Sequence, residues 1–437
     1  MWAVERISET ELVRTAPAGN GAGPLWCYGA PLVLRAGERV YASVLETGEG
    51  IPPLSNCRWQ LWSGDDAGWK LLHSEESFRE REPCPIVLFG DGAVLLSANP
   101  STEPPGTQYG PCLPEILAFA PPAHDVPPRR EAPAWTGQPA FTDHSYRGIA
   151  ADRELRELLL LHIDAETSEQ MVSHRDASGI WHARDGIRFP IRAAYPQAAL
   201  RDGAAHVLAI GDIVEPNAEW RALKKEVTGS EWDYVFRRLF YAFTPDLAEH
   251  PFGSPLEVDS VEATGGHILN LDLYIDGRGE AHVLYLKRPH VHAFLRDRFF
   301  PGEPMTASLE YAVVRAGEIV ARRTLGRHPP VAGMLDPVYA RFHVLPGERL
   351  LVVAAGHLAG PDGAVRFVNV LLDPSRERGE PLCVLPLTEP FRLFFTASPR
   401  SGSPPSAVLD LFGTGSDGAL LRHAALRILE PGVACAK

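Results

Sequence analysis

Asp276-Gly-Arg-Gly-Glu-Ala-His-Val-Leu-Tyr-Leu286 places a glycine-rich turn directly before a run of apolar residues. The earlier segment Arg201-Asp-Gly-Ala-Ala-His-Val-Leu-Ala-Ile210 has the same order, and both contain the tetrapeptide Ala-His-Val-Leu, at 205–208 and 281–284. An Asp-Gly pair between apolar runs indicates a β-hairpin, because both central residues of the tight turn need positive φ. Each segment is therefore read as a hairpin turn followed by a buried strand.

The same turn and apolar run recur seven times along the chain, with turns near 37, 91, 152, 202, 276, 347 and 402. Repetition at this spacing is typical of propellers built from small four-stranded sheets. The sequence predicts an all-β, seven-bladed β-propeller of antiparallel blades, forming one domain over residues 1–437. The blades are expected to begin near 24, 80, 141, 190, 264, 335 and 389.

Both chain ends are expected in the seventh blade, with a strand around Val4 lying beside a strand around Ile428. Helical patterns are scarce, and the sequence offers only short candidates at 219–228 and 290–298. The first of these belongs to the longest loop of the predicted rim. That loop is expected either to contact substrate or to be a solvated charged segment.

Composition excludes several classes of function. Formal net charge is −13, and nonspecific binding to a phosphate backbone needs a basic surface, so we expect no nucleic-acid partner. No apolar run reaches the length of a membrane-spanning helix, so no membrane partner is expected. The first residues carry acids where a signal peptide has basic and apolar regions. The predicted location is the cytoplasm if Met1 is the native start.

No metal and no cofactor are expected. The six cysteines show no Cys-x-x-Cys pattern and no zinc spacing. Free, buried thiols are the main expectation, and a bridge between Cys27 and Cys57 or between Cys84 and Cys112 is the alternative. The pair His290-Val-His292 has same-face spacing but lacks a third ligand in the sequence.

In a propeller, the start of each first strand and the end of each second strand meet on one rim around the central channel. Polar residues at these positions are distant in sequence and are expected to converge. The predicted catalytic residues are His144, Tyr146, Tyr195 and His267. The predicted substrate-binding residues are Arg81, Arg147, Asp212, Glu215, Asn270, Asp272, Lys287, Arg288 and Arg341. Further polar or aromatic rim positions are Trp26, Asp164 and Arg192.

The segment Asp143-His-Ser-Tyr-Arg147 combines a carboxylate, an imidazole, a phenol and a guanidinium just before a predicted first strand. Imidazole and phenol groups can transfer protons near neutral pH, and arginine can hold a carboxylate through two parallel hydrogen bonds. The alternative is a strand start whose Asp143 and Arg147 pair locally.

Two other pairs have competing interpretations. Asn270 and Asp272 alternate along a strand and point the same way, so they either line the site or bond one blade to the next. His206 and His282 occupy equivalent places in the two Ala-His-Val-Leu copies and are expected to be buried structural histidines.

Ser63-Gly-Asp-Asp-Ala-Gly-Trp69 and Ser173-His-Arg-Asp-Ala-Ser-Gly-Ile-Trp181 resemble the Asp-box turns of the sialidase-like, BNR-repeat propellers. That superfamily includes sialidases, other glycosidases and polysaccharide lyases such as the ulvan lyases. The resemblance to the lyases implies that His144 and Tyr195 transfer protons. It also implies that Arg147 or Arg341 neutralises a uronate carboxylate, which acidifies the sugar C5 proton for β-elimination.

The reaction class stays open between elimination and hydrolysis. A glycosidase needs two carboxylates about 5–9.5 Å apart. The sequence offers Asp143, Asp212, Glu215 and Asp272 as candidates for that pair. The expected partner in both cases is a carbohydrate, which could be anionic. A noncatalytic propeller that binds a glycan or a protein is the third hypothesis.

Overall fold

The computed structural model describes residues 2–26, 29–105, 107, 109–121, 126–230, 233–331, 333–360, 362–377 and 379–431. The chain forms seven four-stranded antiparallel sheets, and a separate two-stranded ribbon joins Ile213–Val214 to Tyr234–Val235. The first strands of neighbouring blades contact each other around the ring, from blade 7 back to blade 1. The prediction of an all-β, seven-bladed propeller is therefore confirmed.

In the first four blades, the strands occur along the chain in order from the inner to the outer strand. Blade 1 consists of Val33–Ala36, Arg39–Thr47, Cys57–Asp65 and Gly68–Ser74. Blade 2 consists of Ile86–Leu88, Val94–Ala98, Glu115–Phe119 and Arg129–Glu131. Blade 3 consists of Gly148–Asp152, Glu157–Ile163, Gln170–Arg175 and Trp181–Ile187. Blade 4 consists of Ala193–Arg201, Ala204–Gly211, Arg238–Thr244 and Leu256–Ser260.

The last three blades complete the ring, and each first strand begins a few residues after its predicted start. Blade 5 consists of His267–Ile275, Ala281–Arg288, Ala307–Arg315 and Glu318–His328. Blade 6 consists of Asp336–Leu345, Arg349–Ala359, Val365–Leu372 and Cys383–Val384. Blade 7 consists of Leu393–Thr396, Val408–Thr414, Leu420–Leu429 and, as its outer strand, Ala3–Arg14.

The N-terminal strand closes the ring, as the sequence predicts. It runs antiparallel to the last strand, with Val4 opposite Ile428. Arg422, which is almost fully buried, pairs with Glu9 across this seam. Pairing of the two chain ends within one sheet holds blade 7 together and leaves no open break in the ring.

The repeated Ala-His-Val-Leu segments have the same structure in blades 4 and 5. Nδ1 of His206 lies 2.6 Å from the Tyr241 hydroxyl, and Nδ1 of His282 lies 2.6 Å from the Tyr311 hydroxyl. Both histidines are buried in their blades, and burial lowers the pKa of each imidazole. The prediction that they are structural histidines agrees with this placement.

The loop after the second strand of blade 4 contains helix α1 (Ala218–Thr228), which begins after Asn217. A second short helix, α2 (Ala293–Phe299), follows the second strand of blade 5. Trp220 is buried and packs against Phe299 and Phe300, so α1 is attached to the α2 segment. Neither helix of the described chain is long and apolar enough to cross a membrane.

The cysteines that the structure describes are free thiols. Cys57, Cys84 and Cys112 are buried, and Cys383 is partly buried. The considered bridge between Cys84 and Cys112 is therefore absent, while Cys27 lies outside the described residues. Burial raises the pKa of the Cys57 thiol to about 11, which makes it a poor nucleophile at neutral pH.

Candidate active site

A polar and aromatic cavity of about 1000 Å³ lies on the rim where the first strands begin. Its described lining comes from blades 1 to 5, so the cavity is displaced to one side of the ring. Four of the predicted catalytic residues and two predicted substrate-binding residues line it. They are His144, Tyr146, Tyr195, His267, Arg81 and Asp212.

A buried carboxylate contacts the imidazole of His144. Its Nδ1 lies 3.1 Å from Oδ2 of Asp143, and the imidazole side chain is 30% exposed while Asp143 is buried. Arg81 donates from Nη1 to the same Oδ2 at 3.1 Å. Burial alone would raise the pKa of Asp143, but the hydrogen bond and charge of His144 and the charge of Arg81 lower it. Asp143 is therefore an anion that fixes the orientation of His144.

Aromatic rings surround His144. The Trp26 ring is 6.5 Å from His144, 5.8 Å from Tyr146 and 5.9 Å from Tyr195, measured between centroids. Tyr146 and Tyr195 contact each other edge to face at 4.9 Å. Tyr109, which is largely exposed, stacks on the outer face of His144 at 6.0 Å. These rings give the cavity flat apolar walls beside the imidazole of His144.

Arg192 is the most accessible arginine of the cavity. Its guanidinium lies over the ring of Tyr146 at 5.2 Å and over that of Tyr234 at 5.8 Å. It also pairs with Asp212, whose backbone carbonyl accepts a second hydrogen bond at 3.1 Å. Burial raises the pKa of Asp212, although Arg192 and His144 oppose this rise. Burial, together with Asp212 and Glu82, also raises the pKa of Tyr146.

Three tyrosines of the cavity have left-handed backbone conformations. The φ angles are +57° at Tyr109, +39° at Tyr146 and +51° at Tyr195. Such φ values are uncommon for residues other than glycine, and they persist only where the surrounding structure enforces them. The presence of three such conformations at one cavity indicates that the placement of these rings lowers the stability of the fold.

His267 completes the far side of the cavity, where its ring contacts Phe236 edge to face at 5.7 Å. Burial, followed by the charges of Arg288, His292 and Arg237, lowers the pKa of His267 to about 4. The imidazole is therefore neutral at pH 7 and can accept a hydrogen bond or a proton.

Arg147 and Arg341, which the resemblance assigned to a substrate carboxylate, lie outside the cavity. Both are 1% exposed. Arg147 donates to the backbone carbonyls of Ser97 and Glu82 at 3.0 and 3.1 Å, and Arg341 donates to that of Leu271 at 2.6 Å. Their guanidinium groups bond neighbouring blades to one another, so the predicted role of these two arginines in binding a substrate carboxylate does not fit their positions.

Asn270, Asp272 and Glu215 also lie outside the cavity lining. Asn270 is fully buried and donates to the backbone carbonyl of Tyr195 in the next blade at 2.7 Å. Asp272 is buried and accepts from Nε of Arg400 at 3.0 Å. Glu215 is buried and pairs with Arg237. Each of these polar groups bonds one part of the ring to another, which is the alternative interpretation of Asn270 and Asp272.

The last two predicted substrate-binding residues are on the second strand of blade 5. Nζ of Lys287 contacts both carboxylate oxygens of Asp259, at 2.8 and 2.9 Å. Arg288 is half-buried, and burial lowers the pKa of its guanidinium. Neither residue lines the cavity.

The sequence did not identify several of the residues that line the cavity. Tyr109 comes from a loop without a periodic pattern, and Tyr234 and Phe236 belong to the apolar segment 234–243, which predicts the third strand of blade 4 and not a rim position. Trp26 and Arg192 stand just before first strands, at positions where convergence is expected. Only the ring contacts in the structure show that Trp26 and Arg192 lie against the tyrosines of the cavity.

One cluster outside the cavity has the donor atoms of a metal site. Ligand atoms of Asp276, Glu280 and His282 lie within 4.8 Å of one another. Arg278 pairs with Asp276, and Arg315 pairs with Glu280. Because both carboxylates already have cationic partners, this cluster is a network of ion pairs at a hairpin turn.

The chain resembles polysaccharide lyases in structure. It superimposes on an ulvan lyase of family PL25, bound to a -[GlcA(1-4)Rha3S]- fragment, with a TM-score of 0.57, 11% identity and 95% of both chains covered. The polysaccharide lyase Uly1 matches with a TM-score of 0.50 and 10% identity, over 91% of this chain and 90% of that one. No known family profile and no curated protein sequence matches the chain. These similarities establish a shared propeller fold, and the assignment to the sialidase-like, BNR-repeat group stays a prediction.

Proposed function

We propose that this propeller is a carbohydrate-active enzyme that cleaves uronate-containing glycans by β-elimination in the cavity around His144. The observation that carries this proposal is the arrangement of Asp143, His144, Tyr195 and Arg192 around one aromatic cavity. It supplies an oriented base, a phenol and an accessible guanidinium in one place. The fold shared with polysaccharide lyases agrees with this function.

Substrate binding follows from the walls of the cavity. Trp26, Tyr109 and Tyr234 offer ring faces or edges to the apolar faces of sugar rings. Arg192 has hydrogen-bond donors beyond those used by Asp212, and a guanidinium matches the geometry of a carboxylate. The guanidinium would neutralise the charge of a uronate carboxylate bound there, and this makes the neighbouring C5 proton more acidic.

Ionised Asp143 can only accept a hydrogen bond, so in the neutral form of His144 the proton is on Nδ1 and Nε2 keeps a lone pair. In the proposed reaction, His144 Nε2 takes the C5 proton and the C4–O bond breaks as the C4=C5 double bond forms. The Tyr195 hydroxyl protonates the departing oxygen. The products are an unsaturated uronate at one new end and a reducing end at the other, and the proton later returns from His144 to Tyr195 through solvent.

Hydrolysis is the second candidate, because burial raises the pKa of Asp212 and a raised pKa suits a general acid. It is less favoured because the carboxylates around the cavity have partners. Asp143 is buried beneath His144, Asp212 pairs with Arg192, and Asp164 accepts from the backbone of Glu166 and Thr167.

The test is incubation with oligosaccharides that contain uronate, and with neutral oligosaccharides of the same length as the control. Elimination predicts ultraviolet absorbance from the conjugated double bond, with uronate substrates only. New reducing ends without that absorbance would identify a hydrolase. Tight binding without any cleavage would contradict both reactions and identify a binding protein.

A further inference from the structure

We infer that Asn270 is a positioning residue that holds Tyr195 in its working conformation from the neighbouring blade. This inference rests on the proposed role of Tyr195 in proton transfer. Asn270 does not line the cavity, so its proposed effect on the reaction is indirect and acts through the backbone of Tyr195.

Asn270 and blade 4 are joined by a reciprocal pair of hydrogen bonds. Nδ2 of Asn270 donates to the backbone carbonyl of Tyr195 at 2.7 Å. Nε2 of Gln197 donates to the backbone carbonyl of Asn270 at 3.1 Å. Both side chains are fully buried. The amide of Asn270 therefore fixes the peptide unit that carries Tyr195.

Tyr195 needs such a contact because its backbone leaves the regular strand. Its φ is +51°, and it precedes Pro196, which restricts it further. Pairing between the first two strands of blade 4 shifts register between Ala194 and Gln197. The ladder of strand hydrogen bonds thus skips Tyr195 and Pro196, and the side chain of Asn270 provides a hydrogen bond to that carbonyl from outside the blade.

The space around this bulge is tight on two other sides. A Cβ atom on Gly29 would lie 2.6 Å from the carbonyl oxygen of Pro196. A Cβ atom on Gly148 would lie 3.0 Å from Cγ of Pro196. Blades 1 and 3 therefore confine the bulge by packing, while blade 5 confines it by a directional hydrogen bond. Loss of that bond removes the directional restraint on the Tyr195 carbonyl and leaves only the packing.

Asn369 provides a matched control, because it forms the same kind of inter-blade clamp away from the cavity. It is almost fully buried in blade 6. Its Nδ2 donates to the carbonyl of Phe391 at 3.0 Å, and its Oδ1 accepts from the Phe391 N–H at 2.7 Å. Loss of Asn369 removes buried hydrogen bonds between blades without affecting Tyr195.

The experiment compares Asn270→Leu with Asn369→Leu, since leucine has a similar size and no hydrogen-bonding group. We expect Asn270→Leu to lower kcat on a uronate oligosaccharide by about 100-fold with KM changed by less than about threefold, because displacement of a reacting group acts on the chemical step. We expect the two substitutions to lower Tm by similar amounts. We expect Asn369→Leu to leave kcat within about twofold of the wild type. Equal kcat values in the two variants would overturn the inference.

A crystal structure of Asn270→Leu separates this inference from the proposed function. If Tyr195 keeps its left-handed φ in the variant, the inference that Asn270 holds Tyr195 is wrong, whatever the activity. If the wild-type protein has no activity, the proposed function is wrong. The hydrogen bond from Asn270 to Tyr195 is then still tested by whether Tyr195 is displaced in the variant. If the leucine variant does not fold, Asn270→Ser serves the same comparison, because its hydroxyl is too short to reach the Tyr195 carbonyl.

Discussion

Oδ2 of Asp143 lies 3.1 Å from Nδ1 of His144, and Asp143 is buried while His144 reaches the cavity. Because the two residues are adjacent in sequence, the segment that leads into blade 3 carries both the proposed base and the carboxylate that orients it. The same carboxylate oxygen accepts from Arg81, which keeps it ionised. In the proposed reaction, this contact leaves Nε2 of His144 to take the proton from the substrate.

Replacement of His144 by alanine is expected to remove activity and to preserve the fold. General bases contribute roughly 10²–10⁴-fold to rate, so we expect kcat to fall by about 1000-fold. The imidazole lies on the rim and is 30% exposed, so its loss should leave the blades intact. Turnover is measured with a uronate oligosaccharide, and folding by circular dichroism. His182→Ala, on the outer strand of blade 3, is the control and should retain full activity. Unchanged turnover in His144→Ala would exclude this histidine from the reaction.

Replacement of Arg192 by lysine tests the carboxylate-binding role. Lysine keeps the charge beside Asp212 but lacks the planar pair of donors. We expect kcat/KM on a uronate substrate to fall by about 30-fold, which corresponds to roughly 2 kcal/mol of lost transition-state stabilisation. The control is Arg188→Lys, since Arg188 is 81% exposed and pairs with Glu169 outside the cavity. Equal losses in the two variants would show that Arg192 has no specific role.

Asp410 holds blade 7 to blade 1 and is fully buried. It accepts from Nε and Nη2 of Arg35, at 2.6 and 2.7 Å, and from Nε2 of His423 at 2.9 Å. Removal of one partner from a buried ion pair costs about 3–5 kcal/mol, so Asp410→Ala should lower the free energy of unfolding by that amount. Asp417→Ala, which breaks an exposed pair with Arg14, should change it far less. Denaturant titrations of both variants measure the difference, and similar midpoints would contradict the prediction.

Buried histidines are expected to make the fold sensitive to mild acid. Burial lowers the pKa of His343 from 6.5 to about 4, although Asp410 and the Ser406 carbonyl oppose this shift. Between these values the unfolded chain binds a proton that the folded chain does not, so the free energy of unfolding decreases as pH falls. For His343 this loss amounts to about 3 kcal/mol once pH falls below about 4. His343→Gln should reduce the dependence between about pH 7 and pH 4.5, measured by urea unfolding. An identical pH dependence in wild type and variant would refute this prediction.

The fold was predictable because its signals are local. Asp-Gly turns and apolar runs of strand length repeat along the chain, and each specifies a hairpin without reference to distant residues. The loop after the second strand of blade 4 is the main departure. Tyr234 was expected to begin the third strand, but it pairs with Val214 in a separate ribbon, and the strand begins at Arg238. Apolar composition alone does not distinguish these two pairings.

The site was predictable only in part, because side-chain direction at a strand start is a tertiary property. Tyr146 and Arg147 are adjacent, yet the tyrosine lines the cavity while the arginine is buried between blades. Left-handed φ at Tyr146 and the bulge at Tyr195 change which side chains face the rim, and regular alternation does not anticipate either. Tyr109 reaches His144 from a loop whose path has no sequence signature.

The most direct test of the central claim is the mass balance of the cleavage products in water enriched in heavy oxygen. A defined uronate oligosaccharide is incubated with the protein, and the products are weighed by mass spectrometry. Elimination predicts that the masses of the two products sum to the mass of the substrate, with no oxygen taken from water. Products whose masses sum to the substrate plus one water, with the heavy oxygen incorporated, would contradict β-elimination.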